Sequence, residues 1–159
     1  MASRPIRNDA AHVAACLATM SAAVSAYWGL GGIALLDTVG GSLERMARRR
    51  DGAALVTITV VVAAKLAAAA LALAATRWPL STAVRGWVGL GNRIVGIGLT
   101  LYGGVLVITG LLVLTGGIKS DASTNRHALR WHVGLWDLWF LVWGLAQWSA
   151  ARRYRRVTG

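Results

Sequence analysis

The sequence predicts an all-α membrane protein in which four transmembrane helices form an up-down bundle with short loops. Of its 159 residues, 56% are hydrophobic and only 14% are charged, whereas about a quarter of the residues in a soluble domain carry charge. The charged residues cluster between long apolar runs, a pattern typical of polytopic membrane proteins. We expect a single integral membrane domain over residues 1–159.

The first predicted span covers residues 11–36, an apolar run rich in small residues that follows a short polar start. A cleaved signal peptide is the alternative, with positions 24–26 as its small-residue cleavage site. Because the apolar run continues past that site to Leu36, we favour a retained helix. Residues 37–51 then form a predicted polar loop.

Three further spans are predicted downstream. The second, at 53–76, consists almost entirely of Ala, Val and Leu and is interrupted only by Lys65. Residues 80–93 are expected to form a connection with some helix before the third span, at 94–115. The fourth span, at 131–151, leads into an arginine-rich tail. Four spans of about 20 residues leave no room for a soluble catalytic domain, so any activity is expected in the membrane or at its surface.

Glycines recur at intervals of seven residues in and around the third span, at Gly89, Gly96, Gly103, Gly110 and Gly117. Seven residues are nearly two helical turns, so the glycines within the span form one stripe. Such a stripe lets a neighbouring backbone come close. We favour tight packing inside the bundle, with the alanine-rich second span as the expected partner. A flexible or ligand-approach surface is the alternative.

Two ionisable side chains, Lys65 and Asp137, fall at membrane depth, where an unpaired charge costs several kcal/mol. Lys65 lies twelve residues into its span and Asp137 six into its own, which separates them by about 9 Å along the helix axes. We expect them to pair, directly or through water. In the alternative, Lys65 extends to the interface and Asp137 bonds to Arg130 or to backbone.

A helical wheel of the fourth span, at 100° per residue, predicts two opposite faces. Asp137 must point into the bundle, so its face is expected to be interior. The other face then points to lipid, a groove or another subunit. For its deeper tryptophans, Trp139 and Trp143, we favour simple packing, with an aromatic groove for a lipid or flat apolar ligand, or an oligomer interface, as the alternatives. The inward face comprises Arg130, Gly134, Asp137, Leu141, Gly144 and Trp148, and the candidate lipid or partner face comprises Trp136, Trp139 and Trp143, beside His132.

The end of the first span and the start of the fourth are expected on the same side of the membrane, where they bring together a candidate functional pole. Glycines next to aromatic residues at positions 26–32 suggest an irregular turn, which at membrane depth needs protein or water around it. With the intramembrane lysine included, the pole comprises Tyr27, Trp28, Asp37, Lys65, Arg130, His132 and Asp137.

The histidines and the cysteine predict no metal site, no cofactor and no intrachain disulfide. His12 begins the first span, on the opposite side from His127 and His132. The latter two are five residues apart, which puts them roughly 140° from a common helix face. Cys16 is the single cysteine of the chain, so it cannot form an intrachain disulfide.

The net charge of +11 comes from arginines that flank the apolar runs. Such clusters attract anionic lipid headgroups, and we therefore expect lipid rather than nucleic acid as the partner. Lys and Arg in short loops set orientation. The two tails and the loop between the second and third spans carry nine Lys and Arg residues, and the two loops on the opposite side of the membrane carry seven. This difference favours both termini in the cytoplasm. We expect a multi-pass protein of the cell (inner) membrane.

Three blocks of the sequence resemble one known family. They are AYWGLGG at 26–32, YGGVLVITGLLVL at 102–114 and RWHVGLWDLWFLVWG at 130–144. Together they resemble the small bacterial four-span membrane family known as domain of unknown function 3995. The resemblance covers nearly the whole chain and implies a four-helix membrane protein, but it implies no activity.

Three classes of function fit these features. We favour a non-enzymatic membrane protein that binds a lipid or small molecule or acts as an accessory subunit, as a homo-oligomer or with a partner membrane protein. Its basis is the lack of a nucleophile–base pair, metal-ligand spacing or phosphate loop in the sequence. The first alternative is a small oligomeric transporter or channel component that uses Lys65 and Asp137. The second is an intramembrane enzyme with His132 and Asp137 as acid and base.

Overall fold

The computed structural model of the chain describes residues 7–76, 81–119 and 125–158, and the regular structure in these ranges is helical throughout. The all-α class predicted from the sequence is therefore confirmed. In order, the elements are α1 (Asp9–Gly29), α2 (Leu36–Val39), α3 (Gly41–Arg49), α4 (Gly52–Ala74), α5 (Thr82–Leu114), α6 (Arg126–Trp131), a π-helical turn (His132–Trp136) and α7 (Asp137–Thr158).

Three of these helices, α1, α4 and α5, are long and apolar enough to cross a membrane. They correspond to the first three predicted spans. The fourth predicted span falls on α6, the π-turn and α7, and α7 is not among the three. The fourth predicted span is interrupted near its start by the π-turn, and α7 continues beyond it into the arginine tail.

The first span ends earlier than predicted. α1 stops at Gly29, where the amide of Leu30 donates to the carbonyl of Ala26 over 2.9 Å. Gly31 follows with φ +101°, in the left-handed region that glycine adopts without steric cost. The chain therefore leaves the helix before position 36. The predicted polar loop at 37–51 is largely helical, since it contains α2 and α3.

From Thr82 onward, the predicted connection at 80–93 is instead the first third of α5, which runs without a break for 33 residues. Position 80 lies outside the described residues. Ser81 caps its start, because its hydroxyl accepts a hydrogen bond from the amide of Val84 over 3.4 Å. Such a side-chain acceptor satisfies one of the amides that have no partner within the first turn. At 1.5 Å per residue, α5 is about 50 Å long, so it extends well beyond a single membrane span.

The long helices pair as α1 with α4 and α5 with α7, and α1 also packs along α7. At one end of the bundle, the side-chain amide of Asn8 donates to the carbonyl of Ala150 over 3.1 Å. We call this the terminal end. At the opposite end, called the loop end, α2 packs against α6.

The heptad glycines bring α5 against α7 rather than against α4, so the partner predicted from the alanine-rich second span is wrong. A Cβ at Gly96 would lie 2.5 Å from the backbone nitrogen of Trp148, and one at Gly103 would lie 2.5 Å from that of Leu141. At both glycines, the backbone of α5 therefore lies directly against the backbone of α7. The favoured interpretation, tight packing within the bundle, is thus confirmed for these positions. The alanines of α4 face α1 instead.

A buried network of amides joins α4, α5 and α7. The side-chain amide of Gln147 donates to the Ala68 carbonyl over 3.2 Å and to Asn92 Oδ1 over 2.9 Å. Its oxygen accepts from Trp143 Nε1 over 3.0 Å, and Asn92 Nδ2 donates to the Leu71 carbonyl over 2.9 Å. Gln147 and Asn92 are both fully buried, and these bonds satisfy polar groups that would otherwise be costly to bury.

Candidate functional site

The π-turn at His132–Trp136 places His132 directly against Asp137. A π-turn bonds residue i to residue i+5 and so accommodates one residue more per turn than an α-helix. The two side chains, five positions apart, therefore come to the same face. Nδ1 of His132 lies 3.2 Å from Oδ1 of Asp137, and Nε2 lies 2.7 Å from the Val39 carbonyl oxygen. Asp137 is 5% exposed, so its predicted inward orientation is confirmed.

These two contacts determine the charge of the His132–Asp137 pair. The carbonyl of Val39 only accepts, so Nε2 carries a hydrogen and donates it. A further proton lies between Nδ1 and Oδ1, because an unprotonated ring nitrogen and a carboxylate oxygen both only accept. The pair is then either an imidazolium with a carboxylate or a neutral imidazole with a carboxylic acid. Its net charge is zero in both cases.

The same turn holds residues 30–50, which we call the cap segment, over the loop end. Trp136 Nε1 donates to the hydroxyl of Thr38 over 3.1 Å. The ring of Trp136 meets that of Trp28 edge to face, with centroids 5.4 Å apart. Trp28 Nε1 in turn donates to the Ala34 carbonyl over 2.9 Å. Two indoles and one imidazole thus attach the cap segment to the helices.

Lys65 points from α4 towards α1. Its ammonium donates to the hydroxyl of Ser25 over 2.7 Å and to the carbonyl of Ser21 over 3.2 Å. It also lies 5.8 Å from the centroid of the Phe140 ring, within the range of a cation–π attraction. Phe140 is one helical turn beyond Asp137, so Lys65 lies deeper in the bundle than the His132–Asp137 pair.

A cavity of about 220 Å³ lies between Lys65 and the His132–Asp137 pair. Lys65, His132 and Asp137 all line it, and no other Lys, Arg, Asp, Glu or His side chain does so within the part of the chain that the structure describes. The remaining walls are mostly apolar or aromatic and come from α1, the cap segment, α4, α5, the π-turn and α7. They include Trp28, Met46, Ile58, Tyr102, Trp136 and Phe140.

The structure brings together four of the seven residues predicted as the functional pole: Trp28, Lys65, His132 and Asp137. Tyr27, Asp37 and Arg130 are exposed at the loop end and do not line the cavity.

Lys65 and Asp137 share the cavity but form no direct ion pair, since Lys65 bonds to α1 and Asp137 to His132. The direct form of the predicted pairing is therefore wrong. Its water-mediated form stays a prediction. Two of the alternatives are not observed either. Lys65 turns towards Ser25 instead of extending to the interface, and Asp137 bonds to His132 instead of Arg130.

The prediction that Trp136, Trp139 and Trp143 turn outward is wrong for Trp143, which is 2% exposed, and all three indoles donate to atoms of the chain. The wheel assumed one buried face. Instead α7 packs between α5 on one side and α1 on the other, so both faces are covered. Simple packing, the favoured interpretation, is confirmed for Trp143, which belongs to the buried core, and Trp139 packs against the same core. The groove fits Trp136, which lines the cavity.

Several residues of the site were not predicted from the sequence. Ser21, Ser25 and Thr38 supply the oxygens that hold Lys65 and Trp136. A polar residue inside an apolar span is a signal that could have identified Ser25. The carbonyl of Val39 could not have been identified, because its role depends on the path of the cap segment.

A family model described as a protein of unknown function (DUF3995) matches residues 13–147, which include every residue that lines the cavity. No curated protein and no solved structure matches the chain significantly.

Proposed function

The chain belongs to the DUF3995 family of proteins of unknown function, and on this premise we propose that it is a four-span membrane protein that binds a small organic anion in the Lys65 cavity. The observation that carries the proposal is the cavity itself. It combines one ammonium group and one neutral His–Asp pair with aromatic walls. Ligand sites are typically mostly apolar, with a few well-placed polar groups.

The exposed surface of α7 supports its role as the fourth span. Its most exposed residues between positions 138 and 147 are Leu138, Val142 and Leu145, at 42–43%. These three form an apolar stripe at helical spacing. The polar residues Asp137 and Gln147 are buried instead. Polar groups that turn inward lower the average hydropathy of a membrane helix without exposing it to lipid.

The spacing of two tryptophans is consistent with this span. Trp131 and Trp148 are both partly exposed, at 38% and 36%. They are separated by about 26 Å along a helix, close to the thickness of the hydrocarbon core, about 30 Å. Tryptophans favour the two membrane interfaces. With four spans, both termini lie on one side, and the arginine distribution favours the cytoplasmic side of the inner membrane.

The charge of the cavity favours an anionic ligand. The His132–Asp137 pair contributes no net charge, so the ammonium of Lys65 is the remaining charge. An ammonium has three donors, and Ser21 and Ser25 occupy two of them. One donor is therefore left for a carboxylate or similar group. In a site with apolar walls, a hydrogen bond between charged partners is roughly twice as strong as a neutral one.

The size and walls of the cavity limit the ligand to a small molecule. A volume of about 220 Å³ is the space of roughly seven waters of about 30 Å³ each. Tyr102, Trp136 and Phe140 offer aromatic surface in its wall. A compact body with one anionic group matches both features.

Benzoate tests the proposal, because it matches the cavity in size and carries one carboxylate. We expect calorimetry of the protein in lipid nanodiscs to show benzoate binding, with benzylammonium of similar size binding far more weakly. Lys65→Met removes the ammonium but keeps an apolar stem, and it is expected to weaken benzoate binding by at least about tenfold. Lys119→Met, at the chain's other lysine and outside the cavity, serves as the matched control.

Three results would contradict the proposal. Wild type could bind no benzoate at millimolar concentration, it could bind benzylammonium as tightly as benzoate, or Lys65→Met could bind benzoate as tightly as Lys119→Met.

A transporter or channel component is the second candidate, favoured by the presence of Lys65 and Asp137 in one cavity. A pathway would have to continue from the cavity to the terminal end. On that side, Gln147 and Asn92 are fully buried and hydrogen-bonded across the bundle. An enzyme with His132 as base is less favoured, since both ring nitrogens already face acceptors. Binding therefore fits the geometry best.

A further inference from the structure

A second recess lies at the terminal end, on the other side of the amide network from the Lys65 cavity. It has a volume of about 660 Å³ and lies between the start of α5 and the end of α7. Arg85 and Arg93 line it from α5, and Arg155 and Arg156 line it from α7. None of its lining residues within the described ranges is acidic. We call this recess the arginine cleft.

Two glycines open the floor of the cleft. A Cβ built at Gly86 or Gly89 would meet no atom within 4 Å, although both positions line the recess. No interhelical contact therefore requires glycine here, in contrast with Gly96 and Gly103 further along the same helix. The missing side chains leave room for a ligand against the backbone of α5, below the guanidinium groups.

The position of the cleft indicates where its ligand comes from. The surface of α5 next to it is apolar, with Trp87 at 72% exposure, Leu90 at 45% and Ile94 at 62%. An exposed tryptophan beside aliphatic residues is typical of the membrane interface. The arginines therefore stand at the level where lipid-facing surface begins, which is the level of phospholipid headgroups.

We propose that the arginine cleft binds the phosphate-bearing headgroup of an anionic phospholipid. Guanidinium groups bind phosphate oxygens through paired, charge-assisted hydrogen bonds. Basic pockets between membrane helices bind anionic headgroups for the same reason. Four arginines from two helices exceed the charge of one phosphate, so the cleft selects lipids with a net negative charge over zwitterionic ones.

Native mass spectrometry of the purified full chain tests this site. Phosphatidylglycerol and phosphatidylcholine are added separately at matched concentrations, and inorganic phosphate serves as a third arm. We expect wild type to retain phosphatidylglycerol selectively. Each arginine near an anionic headgroup contributes about a fivefold factor in binding, so the pair Arg93→Gln and Arg156→Gln is expected to weaken retention by about 25-fold.

A matched pair, Arg126→Gln and Arg153→Gln, removes the same charge at positions that do not line the cleft. It is expected to keep the selectivity. Gly86→Trp fills the recess without changing charge and is also expected to abolish selective retention. The unfolding transition of each variant reports whether it folds.

Three results would overturn the proposal. If both arginine pairs reduce retention equally, lipid association reflects overall charge and not the cleft. If inorganic phosphate displaces phosphatidylglycerol at submillimolar concentration, or if Gly86→Trp retains the lipid as wild type does, the cleft is not a headgroup site.

Discussion

Replacement of Asp137 with leucine is expected to lower the free energy of unfolding by about 2–3 kcal/mol, because it removes one partner of a hydrogen bond that joins the buried aspartate to a partly exposed histidine. The change leaves His132 between the Val39 carbonyl and an aliphatic side chain. An imidazolium would then lack its counter-charge, and a neutral imidazole would lose the donor that faces Nδ1. Unfolding in mixed micelles, followed by tryptophan fluorescence, measures the loss.

Asp137→Asn is the matched control. Its side-chain amide can donate to Nδ1 while Nε2–H still donates to Val39, so all three groups remain bonded without a charge. We expect a loss below about 1.5 kcal/mol, which is the range of one neutral hydrogen bond. Equal losses for the leucine and asparagine variants would contradict the assigned hydrogen bonds of His132.

The second large effect is expected at Gly103. A Cβ there would lie 2.5 Å from the backbone nitrogen of Leu141 and 2.9 Å from its Cα, and neither atom can move without shifting α7. Gly103→Ala is therefore expected to destabilise the protein by about 3 kcal/mol, at the upper end of overpacking in a protein core. The same unfolding assay measures it.

Gly98 on the same helix serves as the control, because a Cβ there meets no atom within 4 Å. Gly98→Ala is expected to stabilise the protein by up to about 1 kcal/mol, the helix-propensity difference between the two residues. The two substitutions are chemically identical and opposite in expected sign. If Gly103→Ala is neutral or stabilising, α5 and α7 do not approach as closely as the structure has them.

Much of the fold could be predicted from the sequence because apolar length and glycine periodicity are local signals. The run of Ala, Val and Leu that contains Lys65 predicted α4 nearly to its ends. The heptad glycines predicted one packed stripe on α5. They could not identify the partner, because alanine on α4 and glycine on α7 both allow close approach.

The site was less predictable, and His132 shows why. A wheel at 100° per residue separates His132 from Asp137 by roughly 140°. The π-turn adds a residue to that turn and brings the two side chains to 3.2 Å. One residue inserted into a helical turn does not change the hydropathy pattern, so the sequence does not reveal it. Contacts with the cap segment, such as that of Trp136 with Thr38, also depend on tertiary structure.

The distribution of tryptophans was misleading for a related reason. The wheel puts Trp143 and Asp137 on different faces, and a helix at the edge of a bundle would expose one of the two faces. Because α7 has α1 on one side and α5 on the other, it buries both. Between positions 138 and 147, the exposed residues of α7 are Leu138, Val142 and Leu145.

The Lys65 cavity lies within the membrane only if the segment from α6 to α7 crosses the membrane. Fusion of a reporter enzyme that is active only outside the cytoplasm, after Gly117 in one version and after Gly159 in another, tests this directly. Four spans predict opposite results: an active fusion at Gly117 and an inactive one at Gly159. If the two fusions report the same side, α7 does not span the membrane and the four-span topology is contradicted.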